Sequence, residues 1–212
     1  MTPEEVEAAI LANPDAKAVL VNNPTYYGIC SDLRKIVEIV HRHGMKVLVD
    51  EAHGTHFYFG DGLPPSAMSC GADMASVSVH KTGGSLTQSA ILLLGKGIDP
   101  NYVRQIINLT QTTSASYLLM VSLDLARQNL ALHGREFYAK TVEFADYARK
   151  EINAIGGYYA FGEELCDGKA FYAFDRTKLS VHTRAMGLAG IEVYDLLRDE
   201  YDIQIEFGDI GN

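Results

Sequence analysis

The chain has 212 residues, 47% of them apolar and 21% charged, with a formal net charge of −9. This size and composition predict a folded chain with a sizeable core, in one medium domain or one with a small appendage, and argue against disorder. The acidic charge is spread along the sequence, which disfavours nucleic acid and anionic membranes as partners. No apolar run approaches the ~20 residues of a membrane helix and the start lacks signal-peptide features, so we expect a cytoplasmic protein.

The first quarter of the sequence predicts a helix followed by a strand, a second helix and a second strand. Residues 2–5 combine a threonine N-cap, a first-turn proline and a capping-box glutamate, which predicts a short helix to about residue 11. Apolar runs at 18–24 and 46–52 predict strands, and the amphipathic segment between them predicts a helix capped by Ser31. This strand–helix–strand unit predicts parallel strands with a right-handed crossover.

The carboxyl ends of parallel strands usually face the ligand site. Asn23 and Asp50 lie at such ends. A third apolar strand is predicted to end at His80, and a fourth begins at Ser89 after a glycine-rich link. A parallel connection needs about a dozen residues or more, so these two strands are predicted to form an antiparallel hairpin, with Lys81 at its turn.

The rest of the chain is predicted to be helical and then mixed. Helical spacing begins at Pro100 and continues over 117–152 for some ten turns, with a possible bend at Gly134. After residue 156, short β-like pieces surround one helix, and the segment 203–207 predicts a final strand. We therefore expect a major domain at 1–155, which includes a long interlobe helix, and part of a small α+β lobe at 156–212.

The segment VLVDEAH (47–53) has two other interpretations. It fits the Walker B strand of a DEAH-type helicase, but the chain has no GxxxxGK[ST] loop to hold phosphates. Asp50, His53 and His56 have metal-ligand spacing, but zinc needs three or four placed donors with second-shell support, and no further ligand cluster is evident. We therefore predict no metal site.

The three cysteines do not predict a disulfide framework or a zinc site. Cys30, Cys70 and Cys166 are odd in number, far apart and outside any CxxC pair. We interpret them as reduced structural thiols.

The segment SVSVHKTGG (76–84) carries the chemistry. A lysine in a turn is usually a solvated side chain, but Lys81 has chemically relevant neighbours: Asp50 ends another strand of the same sheet, and Ser78 and His80 are phosphate donors beside it. Pyridoxal 5'-phosphate (PLP) enzymes use a lysine that forms an imine, an anion that keeps the pyridine nitrogen protonated, and donors for the phosphate. The sequence offers each of them.

These residues resemble a known family. The segments PTYYG, SDL, VLVDEAHGTHF, LPPSA, GAD, SVSVHKT, LTQSA, TQTTSASYLLMVSLDLAR and IQIEFGD look like the major domain of the ornithine/lysine/arginine decarboxylases. The resemblance spans nearly the whole chain. It implies fold type I, which is aspartate-aminotransferase-like: a three-layer αβα architecture with a mostly parallel sheet, one antiparallel strand, and the start of a small α+β lobe.

The resemblance also implies roles for seven residues. Lys81 would form the internal aldimine with PLP, Asp50 would pair with the pyridinium nitrogen, and His53 would lie against the ring or its phenolic oxygen. Ala52 would pack on the ring face. The phosphate would be held by the residues Ser78, His80 and, from the neighbouring subunit, Thr112.

The last of these roles implies a homodimer, or a higher oligomer, with a shared active site. An equally supported interpretation of Thr112 and Ser114 is that they cap the helix that starts near Tyr117. Tyr26 and Tyr27 are predicted to be core aromatics. Asn23 has two open interpretations, an approach to the cofactor or an Asx turn before Pro24.

The expected activity is PLP-dependent decarboxylation of arginine, lysine or ornithine to the corresponding amine and carbon dioxide, in polyamine metabolism. Relatives of full length begin upstream with a phosphate loop and a stacking ring and end with a further domain, so we expect this sequence to be a middle piece. Two alternatives stay open. One is an inactive folded module for assembly or interaction, and the other is a different fold type I enzyme such as an aminotransferase.

Overall fold

The structure is a computed structural model and describes residues 1–210. The chain forms two compact units, one made of residues 1–139 with 166–175 and the other of 140–165 with the residues from 176 onward. The predicted domain boundary between residues 155 and 156 stays a prediction. Each unit is described by itself below.

The first unit is built on a four-stranded sheet. Its strands are β1 (Ala18–Asn22), β3 (Lys46–Asp50), β4 (Met74–Val77) and β5 (Ile91–Leu94), in that spatial order. The first three are parallel, and β5 runs antiparallel to β4. The predicted mostly parallel sheet with one antiparallel strand is confirmed, and the short link between β4 and β5 is its cause.

Two amphipathic helices pack on this sheet. Helix α1 (Pro3–Ala12) has the predicted capping box, because the Thr2 hydroxyl accepts from the Glu5 amide and the Glu5 carboxylate accepts from the Thr2 amide. Helix α2 spans Leu33–Arg42. Its predicted cap at Ser31 is wrong by one residue, since the Asp32 carboxylate accepts from the Lys35 amide at 3.1 Å. A carboxylate also suits the positive end of the helix dipole.

The core of the first unit lies between the sheet and these two helices. Apolar residues of α2 recur at helical spacing, so one face of the helix is buried against the strands. The buried core side chains include Val6, Ile10, Val21, Ile36, Val37, Val40, Val47, Val49, Ala75 and Val77. This packing fixes the strands and leaves their carboxyl ends at one edge.

The third strand is shorter than predicted. It ends at Val77, and a four-residue helix α3 (Val79–Thr82) follows, so His80 and Lys81 lie on a helical turn. The Lys81 amide donates to the Ser78 carbonyl at 3.1 Å and the Gly83 amide to the Val79 carbonyl at 2.7 Å. The turn replaces strand pairing there because β5 begins only at Ile91, opposite Val77.

Two further helices follow the sheet. Helix α4 spans Pro100–Thr110 and helix α5 spans Tyr117–Ile155, a run of 39 residues, as the periodicity predicts. Ser116 lies at the start of α5, where its hydroxyl accepts from the Leu119 amide, so the predicted capping by Thr112 or Ser114 is wrong. Nowhere in residues 1–210 is a helix both long and apolar enough to span a membrane.

Gly134 of α5 lies against Phe59, where an added Cβ would stand 2.8 Å from the Phe59 Cβ. A larger residue at position 134 would therefore clash with Phe59, which explains the glycine. The bend proposed at this residue stays a prediction.

The second unit contains α6 (Gly190–Tyr201) and the antiparallel pair β6 (Tyr159–Ala160) and β8 (Val181–His182). The segment 166–175 belongs to the first unit, where β7 (Ala173–Phe174) pairs with β2 (Ile29–Cys30). The final strand predicted at residues 203–207 is wrong, because this segment is in neither a strand nor a helix. Alternating apolar residues there have no strand to pair with.

Candidate active site

Polar side chains gather where the parallel strands end. The register places Asn22, Asp50 and Ser76 side by side on β1, β3 and β4. The connections that leave these strands therefore start at one edge of the sheet, which we call the carboxyl edge. It is the edge at which open α/β sheets usually bind ligands.

Lys81 and His53 meet at the carboxyl edge. The Lys81 Nζ lies 3.1 Å from the His53 Nε2, although 28 residues separate them in the sequence. A lysine ammonium can only donate, so the imidazole Nε2 accepts this hydrogen bond. Lys81 is exposed and His53 is half-buried, with its ring edge-on to Tyr26 at 5.2 Å between centroids. Two residues predicted for the site are thus in direct contact.

Asp50 is the last residue of β3 and is exposed. One of its carboxylate oxygens accepts from the Ala52 amide at 3.1 Å, which bends the chain sharply after the strand. The half-buried Ala52 and then His53 follow in this turn. Since the turn starts at the carboxyl edge, Asp50, Ala52 and His53 are held together by local geometry.

Ser78 and His80 flank Lys81 on the α3 turn. The Ser78 carbonyl accepts from the Thr55 hydroxyl at 3.2 Å, which ties the start of the turn to the segment after β3. The His80 Nδ1 lies 2.9 Å from the Ser89 carbonyl oxygen. A carbonyl only accepts, so Nδ1 carries the hydrogen, and the His80 Nε2 becomes a donor only when the ring is protonated.

Other predicted residues lie differently from expectation. Thr112 is in the exposed segment between α4 and α5, where its hydroxyl accepts from the Ser114 amide at 3.1 Å. Tyr26 and Tyr27 are 38% and 36% exposed, so the prediction that they are core aromatics is wrong. Asn23 is buried, and its side-chain oxygen accepts from the Ser31 amide. This contact is not the predicted Asx turn, because Ser31 is eight residues away.

A buried polar group that sequence reasoning missed lies directly behind the α3 turn. His56 and Asp175 are both fully buried, with the His56 Nε2 2.8 Å from a carboxylate oxygen of Asp175. The other ring nitrogen of His56 lies 3.2 Å from the Thr82 hydroxyl. His56 attracted notice only as a metal ligand, and nothing local in the sequence marks Asp175, which is 119 positions further on.

Glu51 is a second buried group near the site. Its two carboxylate oxygens accept from the Tyr58 hydroxyl at 2.5 Å and the Ala67 amide at 2.7 Å. Burial raises the pKa of Glu51 to about 7, even though both hydrogen bonds favour the ionised form. Glu51 thus fastens the segment after Asp50 to the loop at residue 67.

Metal and thiol chemistry receive no support from the described residues. Within residues 1–210, no group of three or more histidine, cysteine or carboxylate side chains is placed to hold a metal ion. The metal hypothesis for Asp50, His53 and His56 also fails on geometry, because His56 is engaged with Asp175 and Thr82. The three cysteines are free thiols, and burial raises the pKa of Cys30 and of Cys70.

A cavity of about 290 Å³ lies at the start of α2, near the carboxyl edge. It reaches Asn23 but neither Asp50 nor Lys81. Its other lining residues are Cys30, Ser31, Asp32, Leu33, Arg34, Lys35, Glu38, Pro64, Pro65, Tyr172 and Ala173. The candidate site around Lys81 is therefore separate from this cavity.

Comparison with known proteins identifies the family. The family model described as "Orn/Lys/Arg decarboxylase, major domain" matches residues 1–184. The chain belongs to this family. It is 49% identical over its whole length to an arginine decarboxylase of Halalkalibacterium halodurans and 46% identical to an arginine decarboxylase of Bacillus subtilis. The chain spans 43% and 44% of these two relatives, which is less than half of their length.

Solved structures confirm the fold of this decarboxylase-family chain. Ureidoglycine–glyoxylate aminotransferase from Bacillus subtilis matches with a TM-score of 0.73 at 16% identity, over the whole chain and 56% of that protein. Pyridoxamine–pyruvate aminotransferase from Mesorhizobium loti matches with a TM-score of 0.72 at 18% identity, over the whole chain and 57% of that protein. The predicted fold class, that of the fold type I PLP-dependent enzymes, is therefore confirmed.

The residues at the carboxyl edge fit the cofactor of this fold class. PLP needs an amine, an anion for its ring nitrogen and donors for its phosphate. Lys81 supplies an exposed amine, Asp50 an exposed carboxylate on the adjacent strand, and the α3 turn supplies the Ser78 hydroxyl and the His80 ring. The donor set is thus chemically complete for the ring and partly built for the phosphate.

Proposed function

We propose that this chain is the PLP-binding part of a decarboxylase that acts on a basic amino acid, with Lys81 as the residue that holds the cofactor. The observation that carries the proposal is the contact of the Lys81 Nζ with the His53 Nε2 at 3.1 Å, at the edge where β3 ends in Asp50. Membership of the Orn/Lys/Arg decarboxylase family supports it.

The proposed division of labour follows from the positions of the side chains. When bound, PLP supplies an aldehyde for covalent attachment and a protonated pyridine ring that accepts the electron pair of the breaking Cα–carboxylate bond. The Lys81 amine is the attachment point, and His53 orients it by accepting its hydrogen bond. The Asp50 carboxylate stabilises the proton on the pyridine nitrogen, and Ala52 packs on the ring.

The remaining proposed roles concern the phosphate and the final proton. The Ser78 hydroxyl and the His80 ring bind the phosphate beside Lys81, with His80 donating from Nε2 in its protonated form. After carbon dioxide leaves, Lys81, or a group next to it, returns a proton to Cα. The amine product then departs. Lys81, Ser78 and His80 all lie at the carboxyl edge.

Arginine is the substrate we propose among the three basic amino acids. The two relatives above carry the name arginine decarboxylase and align with the whole chain. An aminotransferase is the second candidate, because Lys81 and Asp50 would serve it equally, but the solved aminotransferases are below 20% identity and support only the fold. The product of arginine distinguishes the two: decarboxylation releases carbon dioxide and transamination does not.

The test of cofactor binding starts from the purified chain. PLP is added, the adduct is trapped with borohydride, and peptide mass spectrometry locates it. We expect the adduct on Lys81, a visible absorbance band before reduction, and loss of both in Lys81→Ala. Lys96→Ala is the matched control, because this exposed lysine follows β5 at the opposite end of the strands and should have no effect. Equal trapping in Lys81→Ala and the unchanged chain would overturn the proposal.

The activity test uses the chain alone and a complete homologous protein, each with PLP and radiolabelled arginine, lysine or ornithine. We expect release of labelled carbon dioxide from arginine by the complete protein, abolished by the substitution equivalent to Lys81→Ala. A chain that binds no PLP but forms a stable oligomer would favour the assembly-module alternative. Release of carbon dioxide from none of the three amino acids by the complete protein would refute the decarboxylase proposal.

We further propose that the chain pairs with a second copy through an apolar surface on α4 and the start of α5. Helix α4 lies wholly within the described residues, and none of its residues is buried. This α4/α5 apolar surface, which runs from residue 102 to residue 125, contains the exposed side chains Tyr102, Ile106, Leu109, Tyr117, Leu118, Met120, Val121 and Leu125. Exposed apolar patches of this kind usually mark interaction sites.

Thr112 lies within the same stretch, which supports its proposed reach to the phosphate of a partner subunit. Light scattering of the purified chain should give twice the monomer mass. Leu118→Glu should reduce it to the monomer mass, while Leu132→Glu, at an equally exposed leucine further along α5, should leave the dimer intact. A monomeric unchanged chain would contradict the proposal. We also propose a cytoplasmic location, with the acidic net charge of the chain as its support.

A further inference from the structure

The proposed function gives no role to the buried His56–Asp175 pair. Both side chains are fully buried, and the Lys81 amine is hydrogen-bonded to His53 instead. Burying a carboxylate and an imidazole together is often no more favourable than an apolar pair of the same size, so stability alone is a weak reason for them. Their position behind the α3 turn offers another.

The hydrogen bonds of the His56–Asp175 pair link it to Thr82 on the α3 turn. The Asp175 carboxylate accepts from the His56 Nε2, so that nitrogen carries a hydrogen. The opposite ring nitrogen, Nδ1, faces the Thr82 hydroxyl at 3.2 Å. A neutral ring accepts from this hydroxyl and a protonated ring donates to it. The contact thus survives either protonation state of His56, and it requires the hydroxyl of Thr82.

Thr82 is the residue after Lys81 and the last of the α3 turn. The Thr82 carbonyl accepts from the Tyr138 hydroxyl at 2.7 Å, and the other end of the turn is tied by Thr55 to the Ser78 carbonyl. A helix of four residues has almost no stability of its own, so external contacts must hold it. His53, the partner of Lys81, belongs to the same segment as Thr55 and His56.

We propose that the His56–Asp175 pair positions Lys81. It acts through the Thr82 hydroxyl and keeps the Lys81 amine oriented for covalent attachment of the cofactor. The inference rests on the proposed function in that Lys81 is the cofactor lysine. It adds that Thr82, His56 and Asp175 govern covalent attachment at Lys81, and not the binding of the ring or the phosphate. These three are positioning residues.

The test separates covalent attachment from binding. Dissociation constants are measured for PLP, which has an aldehyde, and for pyridoxamine phosphate, which has an amine there and cannot bond to Lys81. The variants are Thr82→Val, which keeps the shape and removes the hydroxyl, and Thr82→Ser, which keeps the hydroxyl. Asp73→Asn is the stability control, because Asp73 belongs to a histidine–aspartate pair at the opposite end of the strands.

We expect Thr82→Val to weaken PLP two- to tenfold, the range that corresponds to one hydrogen bond of about 0.5–1.5 kcal/mol. Pyridoxamine phosphate should bind as before, Thr82→Ser should behave as the unchanged chain, and Asp73→Asn should change neither ligand. Equal weakening of both ligands, no weakening of PLP, or a Thr82→Ser variant that resembles Thr82→Val would overturn the inference.

A chain that binds neither ligand would refute the proposed function, and a second measurement then decides the inference. Reductive methylation with formaldehyde reports on each lysine by mass spectrometry, with Lys96 as the internal reference. The Lys81-to-Lys96 methylation ratio should change at least about twofold, the lower limit for loss of one hydrogen bond, in Thr82→Val and not in Thr82→Ser. An unchanged ratio in Thr82→Val would overturn the inference in that case.

Discussion

The two ends of the sheet each carry a histidine–aspartate pair with the same 2.8 Å separation, but in different surroundings. At the carboxyl edge, His56 and Asp175 are both fully buried. At the amino end of β4, Asp73 is buried while His41 is 42% exposed, and Asp73 also accepts from the Lys46 ammonium and the Val47 amide. The amino-end aspartate is thus surrounded by donors, whereas the carboxyl-edge pair is isolated from water.

The proposed function assigns different roles to the two pairs. The amino-end cluster joins α2, β3 and β4 and lies away from Lys81, so its role is to stabilise the fold. The carboxyl-edge pair stabilises the fold less effectively, because both of its side chains are removed from water. Its histidine contacts Thr82, the residue after Lys81. Removal of either pair should lower the stability of the fold. Only removal of the His56–Asp175 pair should also change the position of the Lys81 amine.

The largest effect is expected from Asp175→Ala. This change leaves the His56 ring buried without its carboxylate, and breaking a buried ionisable pair usually lowers the free energy of unfolding by about 3–5 kcal/mol. Urea denaturation followed by circular dichroism measures the loss. A loss below about 1 kcal/mol would mean that water or another group replaces Asp175, and the buried pair would then not be a special feature of this edge.

Glu51→Gln should change the pH dependence of stability. The pKa of Glu51 is raised from 4.5 to about 7 by burial, so the folded chain binds this proton more tightly than the unfolded chain. Stability due to Glu51 is therefore full below about pH 4.5 and falls as pH rises to 7, by at most on the order of 3 kcal/mol. Unfolding free energies at pH 5, 6, 7 and 8 should decline in the unchanged chain and flatten in Glu51→Gln.

An unfolding free energy that falls equally in Glu51→Gln and the unchanged chain would assign the pH dependence to other groups. Tyr58→Phe is the companion variant, since it removes one donor to the Glu51 carboxylate. We expect it to raise the pKa of Glu51 further, which moves the decline toward higher pH.

Asp73→Asn should act in the opposite pH direction and with a smaller size. Burial by itself raises the pKa of Asp73, but hydrogen bonds from Lys46, the Val47 amide and His41 hold it below its usual value. Its contribution is therefore present above about pH 4 and is lost as pH falls through the lowered pKa. We expect a loss of about 1–3 kcal/mol at pH 7, measured by urea denaturation, that vanishes in acid.

The smallest effect is expected from Lys46→Met. The Lys46 ammonium is 51% exposed and bonds Asp73 at 2.8 Å, and exposed ion pairs usually contribute about 0–1 kcal/mol. The loss should shrink further in high salt, because mobile ions screen surface charges. A loss as large as that of Asp73→Asn would show that Lys46 dominates the amino-end cluster, in place of the buried hydrogen bond to Val47.

Sequence patterns predicted the elements that have strong local signals. Strands β1 and β3 follow from short apolar runs closed by turn residues, α2 from apolar spacing, and the antiparallel β5 from a link too short for a crossover. The same reasoning placed Asp50 and Lys81 near one edge, whereas His53 was assigned to the site by the family resemblance. Patterns were enough there because each of these elements carries a clear apolar pattern with turn or cap residues at its ends.

The failures have physical causes of a different kind. The α3 turn is too short for periodicity to reveal, so the strand was predicted to continue to His80, with Lys81 at the turn of a hairpin. The alternating segment 203–207 predicted a strand, but a strand exists only with a partner. Tyr26 and Tyr27 are large but lie at the surface, where the Tyr26 ring contacts His53. Asp175 carries no local signal, because its importance depends on a contact made across the fold.

That contact has a consequence for the order in which the molecule is assembled. Asp175 follows His56 by 119 residues and joins the first unit only when β7 has paired with β2. At a synthesis rate of about 5–20 residues per second, His56 leaves the ribosome roughly 6–24 seconds before its partner exists. The sheet and α2 can fold in that interval, but the support behind Lys81 cannot. The lysine would thus be aimed last, after the chain around it is already in place.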